Sequence, residues 1–326
     1  MLQNTQHPFQ LGNLALCSGY VHSSPTPAHA LDPGYIPNQA AVAHFTQLAR
    51  KGLVVAAEHC GALGARLHTS NPNYWNAIQE AGWQRVTDAV HASEGRIFGQ
   101  LAHLSTVTHF DGLAAPAGMT RHDIQRSVSR FRDAGALIKT AGFDGLEVNV
   151  APTTMLAGFL DRHINARRDS YGAHANCGLR FLFEILAVLT DCWGPDRIGL
   201  RLRFDNAEAM PMMSSEELKT TLFYLGRSLG QFDLAYVNIS HTGRYQSAQT
   251  REPQDISATL WPLYKGVLLL KVKGDAQLHA VRESEGESSV TPTNASDGCA
   301  YILRTPLIQS GSEQTVIPIR QPIRHR

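Results

Sequence analysis

Eight short runs of apolar and β-branched residues recur along this chain, each followed by polar or helix-like sequence. The runs are Leu14–His22, Gly52–Ala57, Arg96–Leu101, Gly145–Asn149, Ile198–Leu202, Ala235–Ile239, Val267–Lys271 and Ala300–Leu303. Helical spacing is read over Asn38–Arg50, Ala77–Ala92, Arg121–Thr140, Leu179–Cys192, Ser215–Leu229 and Asp255–Tyr264. Strands that alternate with helices predict a parallel sheet, because a parallel connection must cross back over the sheet. At 326 residues the expected architecture is α/β, a (β/α)8 TIM barrel forming a single domain over 1–326. A doubly wound open sheet is the alternative, but no G-x-G-x-x-G follows an N-terminal strand to support it.

Boundary chemistry agrees with several helices. Ser214 or Ser215 precedes Glu216 and Glu217, as an N-cap with acidic first-turn residues should. Gly142 follows Thr140 and Ala141 as a helix stop. The stretch Arg282–Asp297 is rich in Ser, Glu and Thr and reads as a flexible polar insertion before the last strand.

Composition narrows the function classes. Lys and Arg total 29 against 28 Asp and Glu, a net charge of +1, so nothing global attracts nucleic acid. No apolar run reaches the roughly 18 residues of a membrane span, and the N-terminus lacks a basic-then-apolar leader pattern. Five cysteines, none spaced C-x-x-C, fit reduced thiols in a cytoplasmic protein. No Cys/His cluster has zinc-ligand spacing, so no metal site is expected.

In such a barrel, chemistry sits at the C-terminal ends of the strands. His22, Ser23 and Ser24 end the first run; Glu58, His59 and Cys60 follow the second; His103 and His109 lie beyond the third; Asn238, Ser240 and His241 close the sixth. Glu58 and His59 are the leading candidates for general acid/base work, since enclosure at a barrel mouth moves a pKa toward neutrality.

Several segments carry a resemblance. They are Leu11-Gly-Asn-Leu-Ala-Leu, Gly82-Trp-Gln-Arg-Val-Thr-Asp-Ala-Val-His, Gly95 to His103, Gly142-Phe-Asp-Gly-Leu-Glu-Val-Asn149, Asn165-Ala-Arg-Arg-Asp-Ser-Tyr-Gly172, Arg197-Ile-Gly-Leu-Arg-Leu and Asp233-Leu-Ala-Tyr-Val-Asn. In order and spacing, over about residues 8 to 312, the chain resembles the old yellow enzyme family. The resemblance implies an FMN-containing barrel that takes hydride from NAD(P)H and passes it to an activated alkene in a small molecule. It implies flavin contacts from Thr26, Gln100 and Arg201, and phosphate contacts from Lys273, Gly274 and Arg304. Family members are often dimers, so a homodimer is in keeping with it.

The chain departs from the family at the substrate site. The family has a His at position 149, a second His or Asn three residues on, and a Tyr that delivers a proton two residues later. Here these are Asn149, Pro152 and Thr154. Asn149 retains an amide donor, Pro152 has none, and an aliphatic hydroxyl is a poor acid at neutral pH. Leu303 stands before Arg304 where the family has Gly, and the stretch between His109 and Thr120 is shorter than usual. Three readings follow: a divergent flavin oxidoreductase, with Asn149 and Thr154 at its substrate; a redox-neutral isomerase or cyclase of a polyunsaturated molecule, flavin structural or absent; or a non-catalytic binding protein.

Overall fold

The computed structural model describes residues 8–57, 77–102, 116–151, 154–174, 176–203, 213, 215–240, 263–272 and 299–304. The chain starts with a hairpin, β1 (Phe9–Leu11) and β2 (Leu14–Leu16), and enters the barrel at β3 (Tyr20–Pro25). A small ribbon follows, β4 (Leu31–Asp32) and β5 (Ile36–Pro37), then α1 (Gln39–Ala49), β6 (Leu53–Ala57), α2 (Ala77–Ala92) and β7 (Arg96–Leu101). Next come α3 (Arg121–Thr140), β8 (Gly145–Val150), α4 (Met155–Leu160), α5 (Arg180–Trp193) and β9 (Ile198–Arg203). The described elements end with α6 (Ser215–Leu229), β10 (Tyr236–Ser240), β11 (Leu268–Val272) and β12 (Cys299–Arg304). Eight strands close a barrel in the order β10-β11-β12-β3-β6-β7-β8-β9.

Two expectations need correction. The single run Leu14–His22 is divided: β2 pairs back on β1, and the chain bends at Cys17–Gly19 before β3. Ser18 fixes that bend, its Oγ donating to the Lys51 carbonyl at 2.6 Å. The second correction concerns β12, which runs antiparallel to both β11 and β3. Val272 pairs with Ala300 and Leu268 with Arg304, so the chain re-enters the sheet at the end where β11 left it. A parallel strand would have required a crossover to the other end. The expected helix over Asp255–Tyr264 and the insertion Arg282–Asp297 lie outside the described residues, apart from Tyr264 and its neighbour at 263.

Period-two alternation sorts the barrel into two cores. Leu146, Val148 and Val150 of β8 and Ile198, Leu200 and Leu202 of β9 face the helices. There they meet α5, whose buried Phe181, Leu182, Ile185, Leu186 and Leu189 form one helical stripe. The inner core joins Phe98 and Tyr236, stacked with centroids 6.0 Å apart, to Val21, Leu53, Val55 and Leu269. Leu11, Leu14 and Leu16 of the hairpin belong to this inner cluster and close that end of the barrel. Gly145 and Gly199 make room for the two rings: a Cβ would lie 2.5 Å from Phe98 at the first and 2.4 Å from Tyr236 at the second. Gly142, at φ +83°, ends the turn after α3 as expected.

Candidate active site

At the other end of the inner core, the inward positions turn polar. Phe98 gives way to Gln100 on β7, Gly145 to Glu147 and Asn149 on β8, Gly199 to Arg201 on β9, and Tyr236 to Asn238 on β10. The ladders put these groups in two rows. Gln100 pairs with Glu147, Glu147 with Gly199, and Tyr236 with Gly199. One step nearer the C-terminal strand ends, Asn149 pairs with Arg201 and Arg201 with Asn238.

Glu147 is fully buried and is the hub. Its Oε1 accepts from Gln100 Nε2 at 2.7 Å; its Oε2 accepts from Tyr236 OH at 3.1 Å and Asn238 Nδ2 at 3.2 Å. Three donors replace the water that a buried carboxylate loses. Asn149 Nδ2 donates to Gln100 Oε1 at 3.3 Å. The side-chain oxygens (Oδ1) of Asn149 and Asn238 are buried and have no hydrogen-bond partner among the described residues.

Arg201 crosses the mouth. Its Nη1 donates to Ser23 Oγ at 3.1 Å, and β3 is four strands from β9 in either direction round the ring. Thr26 follows β3 at the same end and is half-buried. Gln100, Arg201 and Thr26 are thus placed at one mouth, while Arg304 is not. Its backbone lies beside Leu268, at the start of β11 and the opposite end of the barrel, because β12 is antiparallel. Lys273, Gly274, Glu58 and His59 lie outside the described residues, as do Cys60, His103, His109, Pro152 and His241.

Thr154 is spoken for by local structure. It is the N-cap of α4; its Oγ1 donates to the Ala151 carbonyl at 2.8 Å and accepts from the Ala157 amide at 3.3 Å. The hydroxyl proton expected to serve a substrate is engaged in this turn. Asn149, expected to donate, gives an N–H to Gln100, and its Oδ1 has no partner among the described residues. His22 and Ser24 alternate with the inward Val21 and Ser23, so they face the helices. Ser24 Oγ meets His44 Nε2 at 2.8 Å, and burial together with the Lys51 charge lowers the His22 pKa. Glu147 and Tyr236 received no role from sequence reasoning. The available signal was alternation: Glu147 stands two residues before Asn149, on the same inward face.

The residues present suit the ring of a flavin. Its pyrimidine edge combines carbonyl oxygens with an N–H, and this mouth combines a guanidinium with unpartnered carbonyl oxygens.

Residues 6–267 match the family model described as the NADH:flavin oxidoreductase / NADH oxidase family. A protein of Oryza sativa subsp. japonica provisionally named 12-oxophytodienoate reductase 13 is 27% identical over 213 residues, 60% of this chain and 56% of the relative. The flavin oxidoreductase hxnT of Emericella nidulans is 28% identical over 224 residues, 60% of this chain and 58% of the relative. Both matches span little more than half of the relative's length. Among solved structures, morphinone reductase superposes with a TM-score of 0.65 at 25% identity, covering 81% of this chain and 78% of the other. An old yellow enzyme homologue from Zymomonas mobilis, at 20% identity and a TM-score of 0.65, shares the fold over 82% of this chain and 81% of its own.

Proposed function

The chain belongs to the NADH:flavin oxidoreductase / NADH oxidase family, and from that premise we propose that it is a divergent FMN-dependent NAD(P)H oxidoreductase acting on a small unsaturated, carbonyl-like molecule. The carrying observation is the mouth itself. Arg201 spans it to Ser23, beside Gln100 and the buried side-chain oxygens of Asn149 and Asn238. When bound, FMN supplies the redox chemistry, accepting hydride from a reduced nicotinamide and yielding it to a substrate. Arg201 would hold the ring through the guanidinium and balance the negative charge that a reduced flavin carries. Gln100 and Thr26 would fix the ring edge, and the buried Phe98–Tyr236 layer beneath excludes water from that side. Morphinone reductase has been solved with tetrahydroNAD, which supports a nicotinamide as the reductant here. No helix among the described residues is long and apolar enough to cross a membrane.

A second reading is favoured by one observation, the engagement of Thr154. Thr154 stands at the position of the family's proton donor, and its hydroxyl proton is held by the Ala151 carbonyl. A redox-neutral isomerisation or cyclisation needs positioning more than a proton delivered at that place.

The purified protein should absorb in the flavin bands, or quench FMN fluorescence on titration, and should oxidise NADPH when an electron-poor alkene is added. Arg201→Met should weaken FMN at least tenfold, as loss of a charged hydrogen-bonding partner does. Turnover of a substrate with oxidised flavin and no nicotinamide would replace the first reading by the second.

A further inference from the structure

A cavity lies apart from the barrel mouth. It has a volume of about 690 Å³ and opens between the segment that follows α4 and the first turns of α6. The helix α4 separates the two places: Thr154 caps its start, just after β8, and Leu160 at its end lines the cavity. The size is that of a site for a small organic molecule.

Several charges at the cavity are already matched. Arg162 Nη1 meets Glu217 Oε1 at 3.0 Å, and His163 Nε2 meets the other carboxylate oxygen at 3.4 Å. Arg167 is held by Asp169 and by the carbonyls of Pro116 and Met119. Three lining groups are left over. Arg168 and His174 stand on the wall formed by the chain after α4, and Glu216 stands on the α6 wall. Among the described residues, none of these three side chains has an ion pair or a hydrogen bond. The two walls thus present unmatched groups of opposite kind, basic on one side and acidic on the other.

Their chemistry specifies a ligand. A guanidinium and an imidazole both donate N–H groups, and together they suit the several oxygens of a phosphate monoester. A carboxylate on the opposite wall accepts hydrogen bonds, as from the hydroxyl groups of a sugar. A bare anion would meet Glu216 as a like charge. A molecule with phosphate at one end and hydroxyls at the other satisfies both walls. We propose that this cavity binds a phosphorylated sugar, free or as part of a nucleotide, with Arg168 and His174 on the phosphate and Glu216 on the hydroxyls. The site stands independently of flavin and of the chemistry at the mouth.

The test titrates ribose 5-phosphate, ribose and inorganic phosphate, each separately, into the full chain and follows the heat of binding. The wild type should hold ribose 5-phosphate roughly tenfold or more tightly than either fragment. Arg168→Gln should weaken ribose 5-phosphate by about tenfold. Glu216→Gln should erase most of the advantage of ribose 5-phosphate over inorganic phosphate and leave inorganic phosphate no weaker bound. Both positions are exposed, so both variants should keep the far-UV circular dichroism of the wild type. Adenosine 2′,5′-bisphosphate separates the two sources: tighter binding than ribose 5-phosphate assigns the site to a nucleotide, and equal or weaker binding assigns it to a free sugar phosphate. No binding of ribose 5-phosphate, equal affinity of the wild type for it and for either fragment, or unchanged affinity in Arg168→Gln overturns the proposal. Flavin binding, titrated on its own, is untouched by any of these results.

Discussion

Thr154 Oγ1 accepts from two backbone amides, those of Ala151 and Ala157, and donates to one carbonyl. A β-hydroxyl at an N-cap is worth about 1 kcal/mol. Thr154→Ala should lower the free energy of urea unfolding by that order, and Thr154→Ser should restore most of it; an equal loss in both would assign the effect to the buried methyl. His22 makes a pH-dependent contribution of definite sign. Its pKa is lowered, first by burial and then by the Lys51 charge. Its stabilisation is therefore present above the unfolded value near 6.5 and is lost as pH falls through the lower folded value. His22→Gln should flatten that part of the stability profile. The family resemblance marked Gln100, Arg201 and Asn149 as candidates, and the structure brings these three to one mouth. What the letters did not carry was the buried cluster in which Glu147 of β8 accepts from Gln100 of β7 and from Tyr236 and Asn238 of β10.

The segment after α4 is held by its own side chains. Asn165 Nδ2 donates to the carbonyls of Phe159 and Tyr171 at 2.8 and 2.7 Å. Arg167 donates to the carbonyls of Pro116 and Met119 and makes paired bonds to Asp169 at 3.0 and 2.7 Å. The Asn165–Gly172 motif is thus a clasp between α4 and the turn before α3. Hydrogen bonding from Arg167 holds the Asp169 carboxyl at about 2. A depressed folded pKa means stabilisation that is present above the unfolded carboxylate value, near 3.9, and lost as pH falls through about 2. Asp169→Asn should remove that acid-limb slope, measured by denaturant melts at successive pH values. Helices α2, α3 and α6 fall where helical spacing puts them. The short α4 escaped, since six residues carry too little periodicity to read. The division of the first run also escaped, because it depends on Ser18 reaching Lys51, far away in sequence.

The barrel as a whole is organised around the Phe98–Tyr236 stack, which separates the hairpin-plugged end from the polar mouth. Phe98 is fully buried. Phe98→Ala should cost about 3–5 kcal/mol, and the open space would lie directly beneath Gln100 and Glu147. Flavin affinity should then fall along with the thermal midpoint; a fall in the midpoint alone would show the mouth to be insulated from the layer below. Apolar runs alternating with helical segments and the family motifs by themselves determined the barrel, because these follow from local spacing and side-chain type. Tertiary structure alone decided the direction of β12, the removal of Arg304 from the mouth, the engagement of Thr154 and the gathering of Gln100, Tyr236 and Asn238 around Glu147. Each of these is a pairing between segments distant in the chain or the choice of one hydrogen-bond partner over another. Such choices are made by three-dimensional proximity, which the order of residues does not express.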